Sequence, residues 1–367
     1  GAMCAIAAIA VLLSLLLIAP WVWIPVRAVS GFCFAGAAMI VESWLNERVD
    51  ATSRGRVFGV YTMVNLAATT AGQMVLTLGD AGGYVFFVLA AMVYCLALLP
   101  TAISATTTPR PLTRVSLDLP KLWRNSPIAV FAVLMVGVSN AAFGTLAAVY
   151  GARIGLSLGD IALFASLPIL AGAASQIPVG IASDRFDRRK VLIAVTLFAL
   201  VADALFLFTG VTRPLLVLTL SALFGATVFA MYPLIVAHAN DHAEPGDFIQ
   251  VSGGLLLVFG IGSIIGPTAA GFAMTTFGAS TLFAVTGAAH VLLLLFAILR
   301  IRTAPAVATE DKVAFKAKPL ARASTPETAA LSADQAELDA DQPPSPPDAP
   351  KIDADGTASN KEADPTG

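Results

Sequence analysis

The sequence predicts an all-α polytopic membrane protein, and three observations carry that prediction. Hydrophobic residues make up 57% of the chain and charged ones only 13%, against ~25% charged in soluble domains. Mean hydropathy is +0.80. The apolar residues come in continuous runs near the ~20 residues that cross ~30 Å of hydrocarbon. Helices satisfy their own backbone there, whereas barrel strands would alternate in polarity every second residue.

Ten spans follow in order from hydropathy and from glycine, proline and charge punctuation. Runs near 3–19 and 22–45 divide at Pro20, and a loop at 46–56 with Arg48, Arg54 and Arg56 closes the second. Runs near 57–79 and 83–104 complete an amino-terminal bundle over residues 1–104. Residues 105–126 carry Pro109, Pro111 and Pro120 with Arg110, Arg114, Lys121 and Arg124, the composition of a solvated linker. Six more runs, near 127–150, 160–182, 189–209, 214–238, 249–275 and 279–300, make a second bundle over 127–302. From 303 to 367 the net charge is −6, against +4 for residues 1–302. That acidity, the run Pro343–Pro347 and few aromatics predict a disordered tail.

Basic residues set the orientation. Thirteen Lys and Arg fall on the side that faces the loop at 185–190, while the other side holds Arg27, Arg153 and Arg213. The positive-inside rule makes the rich side cytoplasmic. The linker, the tail and both ends of the chain are then expected in the cytoplasm, with the spans in the inner membrane. Cys4, Cys33 and Cys95 lie in apolar runs without Cys-x-x-Cys spacing, so buried, inert thiols are expected and neither a disulfide frame nor a metal site.

The most informative stretch is Gly180 to Lys190, G-I-A-S-D-R-F-D-R-R-K, a charged hairpin between two apolar runs. It closely resembles the G-x-x-x-D-R-x-G-R-R-K signature of the major facilitator superfamily of transporters. The one departure is Asp187, where that family has Gly. The resemblance implies two helical bundles that rock about a central site near the bilayer midplane. The layout corresponds to family helices three to twelve, so the chain is expected to lack the first two. Family helices four, seven and ten would line the cavity, with five, eight and eleven between the bundles.

Arg27 to Ala35, R-A-V-S-G-F-C-F-A, resembles the family's R-x-x-Q-G-x-G-x-A motif, which the family links to proton coupling; Arg27, Gly31 and Ala35 match. A charge at membrane depth is costly and usually faces a wet cavity. The alternative is that Arg27 snorkels to headgroups beside Trp21 and Trp23. Glu42 follows on the same helix, either as a proton carrier or as a latch to Arg48 or Arg54. The stretches E-S-W-L-N-E-R at 42–48, S-R-G-R-V-F-G-V-Y at 53–61 and A-H-A-N-D at 237–241 resemble the YcaD-like branch of the superfamily.

Asn65, Gln73, Asn140, Gln176 and Tyr232 are the neutral polar groups expected along the substrate path, with interhelical hydrogen bonding as the other reading of each. In the hairpin, Gly180, Asp184, Arg185, Arg188, Arg189 and Lys190 form a gating network, with Asp184 paired to an arginine or a neighbouring helix. Gly260 to Gly271, G-I-G-S-I-I-G-P-T-A-A-G, supplies close packing at Gly262 and Gly266 and a kink at Pro267. It resembles the Gly-Pro motif that the family's antiporters carry on helix five; here it lies on the equivalent helix of the other half and helix five lacks it, so the resemblance only leans toward export. Asp203 reads as a structural hydrogen-bonding group, with transport as its alternative, and His290 as a satisfied packing histidine; His238, beside Asn240 and Asp241, has a proton role as its lesser reading. Gly155 to Gly159, G-L-S-L-G, matches a nucleophile elbow in letters only, since that chemistry needs a strand-turn-helix.

These readings together predict a secondary active transporter that is not an enzyme, moving a small solute with protons by alternating access. A non-transporting scaffold or receptor of the same fold is the alternative. Its surroundings are the lipid bilayer; a monomer is expected, with no cofactor, metal or nucleic acid. No phosphate-loop motif occurs in the sequence, so ATP-driven transport by this chain alone is not expected.

Overall fold

The structure, a computed structural model, describes residues 1–48, 51–79, 83–103, 118–243 and 248–302, together with Lys312 and Phe315. Among the described residues eleven α-helices follow one another: α1 (Ala2–Leu16), α2 (Pro20–Arg48), α3 (Ala51–Val75), α4 (Val85–Ile103), α5 (Leu119–Asn125), α6 (Pro127–Arg153), α7 (Leu158–Arg185), α8 (Arg188–Phe208), α9 (Pro214–Asn240), α10 (Phe248–Phe277) and α11 (Thr281–Ile301). Among the described residues there is no strand.

Among the described residues seven helices, α2 and α6 to α11, are long and apolar enough to cross a membrane. The remaining three expected spans appear as apolar helical stretches of lesser length, Ala2–Leu16, Met63–Leu78 and Val85–Pro100. The expected linker differs in its second half. Its first thirteen residues, 105–117, lie outside the described residues, but α5 forms where a featureless segment was expected. Asp118 caps it by accepting a hydrogen bond from the Lys121 amide at 2.8 Å, Pro120 sits in the first turn, where its missing N–H costs nothing, and Leu122 is buried. Of the three thiols, Cys33 is buried, Cys4 is half-buried and Cys95 is exposed. Cys95 departs from the expected burial because α4 turns that face outward, with Leu96 and Leu99 exposed beside it.

In the amino-terminal part α1 packs against α2 and α4, and α3 packs against α7 of the second bundle. In the expected family numbering α3 and α7 stand for helices five and eight. Within the second bundle the tightest pairs are α6 with α10 and α7 with α9, and glycine makes both possible. A Cβ on Gly172 would meet Phe229 Cβ at 2.5 Å and the Gly225 carbonyl oxygen at 2.9 Å. The turns after α6, α8 and α10 each use a glycine at positive φ, at Gly155, Gly210 and Gly278, the conformation that ends helices at least cost. Near that end of the bundle a cluster of rings fills the core, with Phe206 and Phe283 stacked at 4.0 Å and Tyr150 edge-on to Phe283 at 5.1 Å.

Deeper in the bundle a polar chain crosses three helices. Ser139 of α6 lies 2.9 Å from His290 Nε2 of α11, and His290 Nδ1 lies 2.6 Å from Asp203 Oδ2 of α8. Thr286 donates to the other Asp203 oxygen at 2.6 Å. All four side chains are buried, so each hydrogen-bonding group has its partner inside the protein, as buried polar groups require. Asp203→Asn keeps the shape and one acceptor, and a tautomer flip of His290 can meet the new amide. The expected loss of stability is therefore about 1–3 kcal/mol, read as a lowered unfolding temperature in detergent; an unchanged temperature would show that the chain does not bind these helices together.

Candidate functional site

A cavity of about 260 Å3 lies between α3 of the first part and α6, α7, α9 and α10 of the second. Four neutral polar residues line it: Gln73 from α3, Asn140 and Thr145 from α6, and Ser263 from α10. Its apolar walls include Phe143, Phe229 and Phe259. Asn140 is 8% exposed, and its Oδ1 atom is buried with no hydrogen-bond partner among the described residues. Ser263 by contrast donates to the Phe259 carbonyl of its own helix at 2.9 Å. Behind the wall, Tyr232 packs edge-on against Phe259 at 5.5 Å.

Of the seven residues expected along the path, the cavity brings together two, Gln73 and Asn140. Tyr232 stands behind the lining. Gln176 is buried in α7 and Asn65 folds its amide back onto the Tyr61 carbonyl of α3 at 3.1 Å; neither lines the cavity. Arg27 is exposed on α2, with Trp21 and Ile24 exposed near it. Glu42 is fully buried and accepts a hydrogen bond from Tyr61 at 3.0 Å, which ties α2 to α3. The side chains of Arg48 and Arg54, the expected latch partners, lie outside the described residues. Thr145, Ser263 and the three phenylalanines were not singled out from sequence, because serine, threonine and phenylalanine in an apolar helix look alike whether they face lipid, protein or a cavity.

The charged hairpin joins α7 to α8, and Arg188 is its anchor. The residue is 2% exposed, and its guanidinium reaches Asp241 at the end of α9 with Nε–Oδ2 2.6 Å and Nη2–Oδ1 3.2 Å. It also donates to Ser183 and, at 3.4 Å, to Asp184. The expected Asp184–arginine pair is thus present but is the longer arm; the main partner is Asp241 of the A-H-A-N-D stretch, which sequence alone did not assign to the hairpin. Arg185 and Lys190 are exposed. Asp187, the departure from the family signature, caps α8: it accepts from the Arg189 amide at 3.0 Å and from the Arg189 side chain at 2.9 Å. Its φ of −53° needs no glycine. Burial raises the Asp187 carboxyl, but the Arg189 hydrogen bonds and charge outweigh it and hold the group below the usual carboxylate range. Its stabilising contribution is therefore present at neutral pH and lost as acid protonates it.

The packing glycines divide. Gly262 and Gly266 of α10 sit against the backbone of α6, while Gly31 has no atom within 4 Å of where a Cβ would stand. Gly31 therefore makes no close approach among the described residues. Helix α10 runs on through Pro267 to Phe277.

Two residues of the expected disordered tail are docked. A Cβ on Gly180 would strike the ring of Phe315, 2.7 Å from its Cε1 atom, and the Phe315 amide donates to Asp184 at 3.0 Å. Lys312 Nζ donates to the Phe186 carbonyl at 2.7 Å and to the Ser183 carbonyl at 3.3 Å. A cation at the carbonyl end of a helix is favoured by the helix dipole, by about 0.3–1 kcal/mol. The rest of the tail lies outside the described residues. Lys312→Ala is expected to cost no more than that range in stability, yet to speed tryptic cleavage after the exposed Arg185 and Lys190; cleavage at the wild-type rate would show that Lys312 does not cover the hairpin.

Comparison with known proteins bears on all of these features. The sequence pattern of the Major Facilitator Superfamily matches residues 129–333, more than half of the chain. The chain is 26% identical over 270 residues to the "Uncharacterized MFS-type transporter YcaD" of Salmonella heidelberg, covering 72% of this chain and 68% of that protein. The protein of the same name from Salmonella arizonae is 27% identical over 269 residues, with 72% and 68% covered. That of Escherichia fergusonii is 26% identical over 274 residues, with 73% and 69% covered.

Proposed function

Because this chain belongs to the Major Facilitator Superfamily, we propose that it carries a small solute through the inner membrane by alternating access, coupled to protons and in the export direction. It is a multi-pass membrane transporter that resembles the YcaD branch, and not an enzyme. The observation that carries the transport reading is the polar-lined cavity between α3 and the second bundle. Such a space, bounded by elements of both halves, is where a rocking transporter binds its cargo. Coupling to protons rests on the resemblance of the Arg27–Ala35 stretch, and export on the Gly-Pro stretch around Pro267. The orientation, with the hairpin and both ends of the chain in the cytoplasm, rests on the bias of basic residues. A monomer suffices for this mechanism, since the two bundles of one chain supply both walls.

The test is flux in proteoliposomes loaded with a pH-sensitive dye, against a panel of solutes. Proton movement that requires both the solute and an imposed pH gradient is the expected result. Solute flux indifferent to the gradient would remove the coupling, and an absence of any flux would favour the scaffold reading. Arg27→Lys keeps the charge but loses the planar multi-donor geometry. It is expected to impair proton-driven transport at near-normal expression; full transport in Arg27→Gln would leave Arg27 with a snorkelling role only.

A further inference from the structure

Resting on the transporter reading, we propose that the cavity between α3 and helices α6, α7, α9 and α10 takes an uncharged solute that joins a fused-ring apolar body to a hydrogen-bond donor. The polar groups offered to the cargo, Gln73, Asn140, Thr145 and Ser263, are all neutral, and no charged residue is among the described residues that line the space. An ion moved there from water would give up its hydration with no countercharge to replace it. The two ionisable residues the sequence pointed to are placed elsewhere: Glu42 meets Tyr61, and Arg27 does not line the cavity.

The donor requirement comes from Asn140. Its Oδ1 atom is buried and has no partner among the described residues. Asn140 is part of the lining, and a small turn of its amide offers that oxygen to an O–H or N–H on the cargo, the partner a buried acceptor requires. The ring requirement comes from the walls. Phe229 and Phe259 present apolar surface, and Tyr232 braces Phe259 from behind. Size narrows it further: an apolar cavity of about 150 Å3 holds benzene, so about 260 Å3 has room for two fused rings with a short polar arm.

Four probes with one skeleton test this on the purified full chain in nanodiscs at neutral pH: 2-naphthylmethanol, 2-methylnaphthalene, 2-naphthoate and 2-naphthylmethylammonium. The alcohol is expected to bind roughly tenfold more tightly than 2-methylnaphthalene, the worth of one buried hydrogen bond, and more tightly than either ion. Asn140→Leu should erase the preference for the alcohol over 2-methylnaphthalene. Asn140→Asp, nearly the same in shape, should turn the preference toward the ammonium. Tighter binding of naphthoate or of the ammonium by the unaltered chain, an alcohol preference that survives Asn140→Leu, or no binding of any probe would each overturn the proposal. Binding is read here without flux, so the two readings fail separately. Probes that bind but are never moved count against transport, whereas liposome flux of an anionic solute with no probe binding counts against this site.

Discussion

Replacing Gly266 with valine is expected to collapse the yield of folded protein. Helices α6 and α10 approach so closely that a Cβ built on Gly266 falls on the Val138 carbonyl, with the Val138 Cα atom 2.9 Å away. One turn earlier, a Cβ on Gly262 would fall on the Leu134 carbonyl and lie 2.9 Å from the Val138 amide nitrogen, and Gly137 faces the Phe259 carbonyl across the same seam. All of these neighbours are backbone atoms, which cannot rotate aside as a side chain can. Overpacking a core typically costs about 1–3 kcal/mol; here whole helices must separate, so the loss should reach or exceed the top of that range. Gly271, on the same helix with nothing within 4 Å, is the control, and Gly271→Val should be tolerated. Size-exclusion profiles and unfolding temperatures in detergent decide the matter. A wild-type profile for Gly266→Val would mean that α6 and α10 are not in backbone contact.

The second large effect belongs to Arg188. Methionine at this position keeps much of the bulk but removes the guanidinium that holds Asp241, itself only 2% exposed in its side chain. Breaking a buried ion pair from one side costs about 3–5 kcal/mol, because the other charge stays buried. Arg188→Met should therefore lower stability by that amount and loosen the end of α9 from the α7–α8 hairpin. Lysine supplies the charge without the fork that meets both Asp241 oxygens, so Arg188→Lys should recover only part of the loss. Paired unfolding curves, together with hydrogen exchange over residues 237–243, measure both. If Arg188→Met unfolds like the wild type, Arg188 serves topology alone.

How far the sequence reaches differs from element to element. The helical class and the places of the apolar runs are plain in composition, since a run near span length has few other uses in water or lipid. The hairpin is plain too, because four cations and two acids stand out between two apolar helices. Pairing across the fold is not: Asp203 and His290 each read as ordinary structural groups, and nothing in the sequence says that two residues separated by 87 positions meet. Asp241 was visible as part of a branch-like stretch, yet its bond to Arg188 needs α8 and α9 to be side by side. In the cavity, Gln73 and Asn140 were within reach because amides are rare in apolar helices. Thr145 and Ser263 were not, since hydroxyls commonly satisfy themselves on their own helix, as Ser263 does.

The docking of Phe315 on Gly180 has a practical corollary for anyone handling this protein. The end of α11 is the obvious place to trim a long acidic tail or to attach a reporter. A cut or fusion ahead of Lys312, however, strips the ammonium from the carbonyls at the end of α7 and uncovers the notch at Gly180. A shortened protein would then be compared with the wild type while differing from it at its charged hairpin, in a way no gel or yield would reveal. Attachments placed well beyond residue 315 leave both contacts in position.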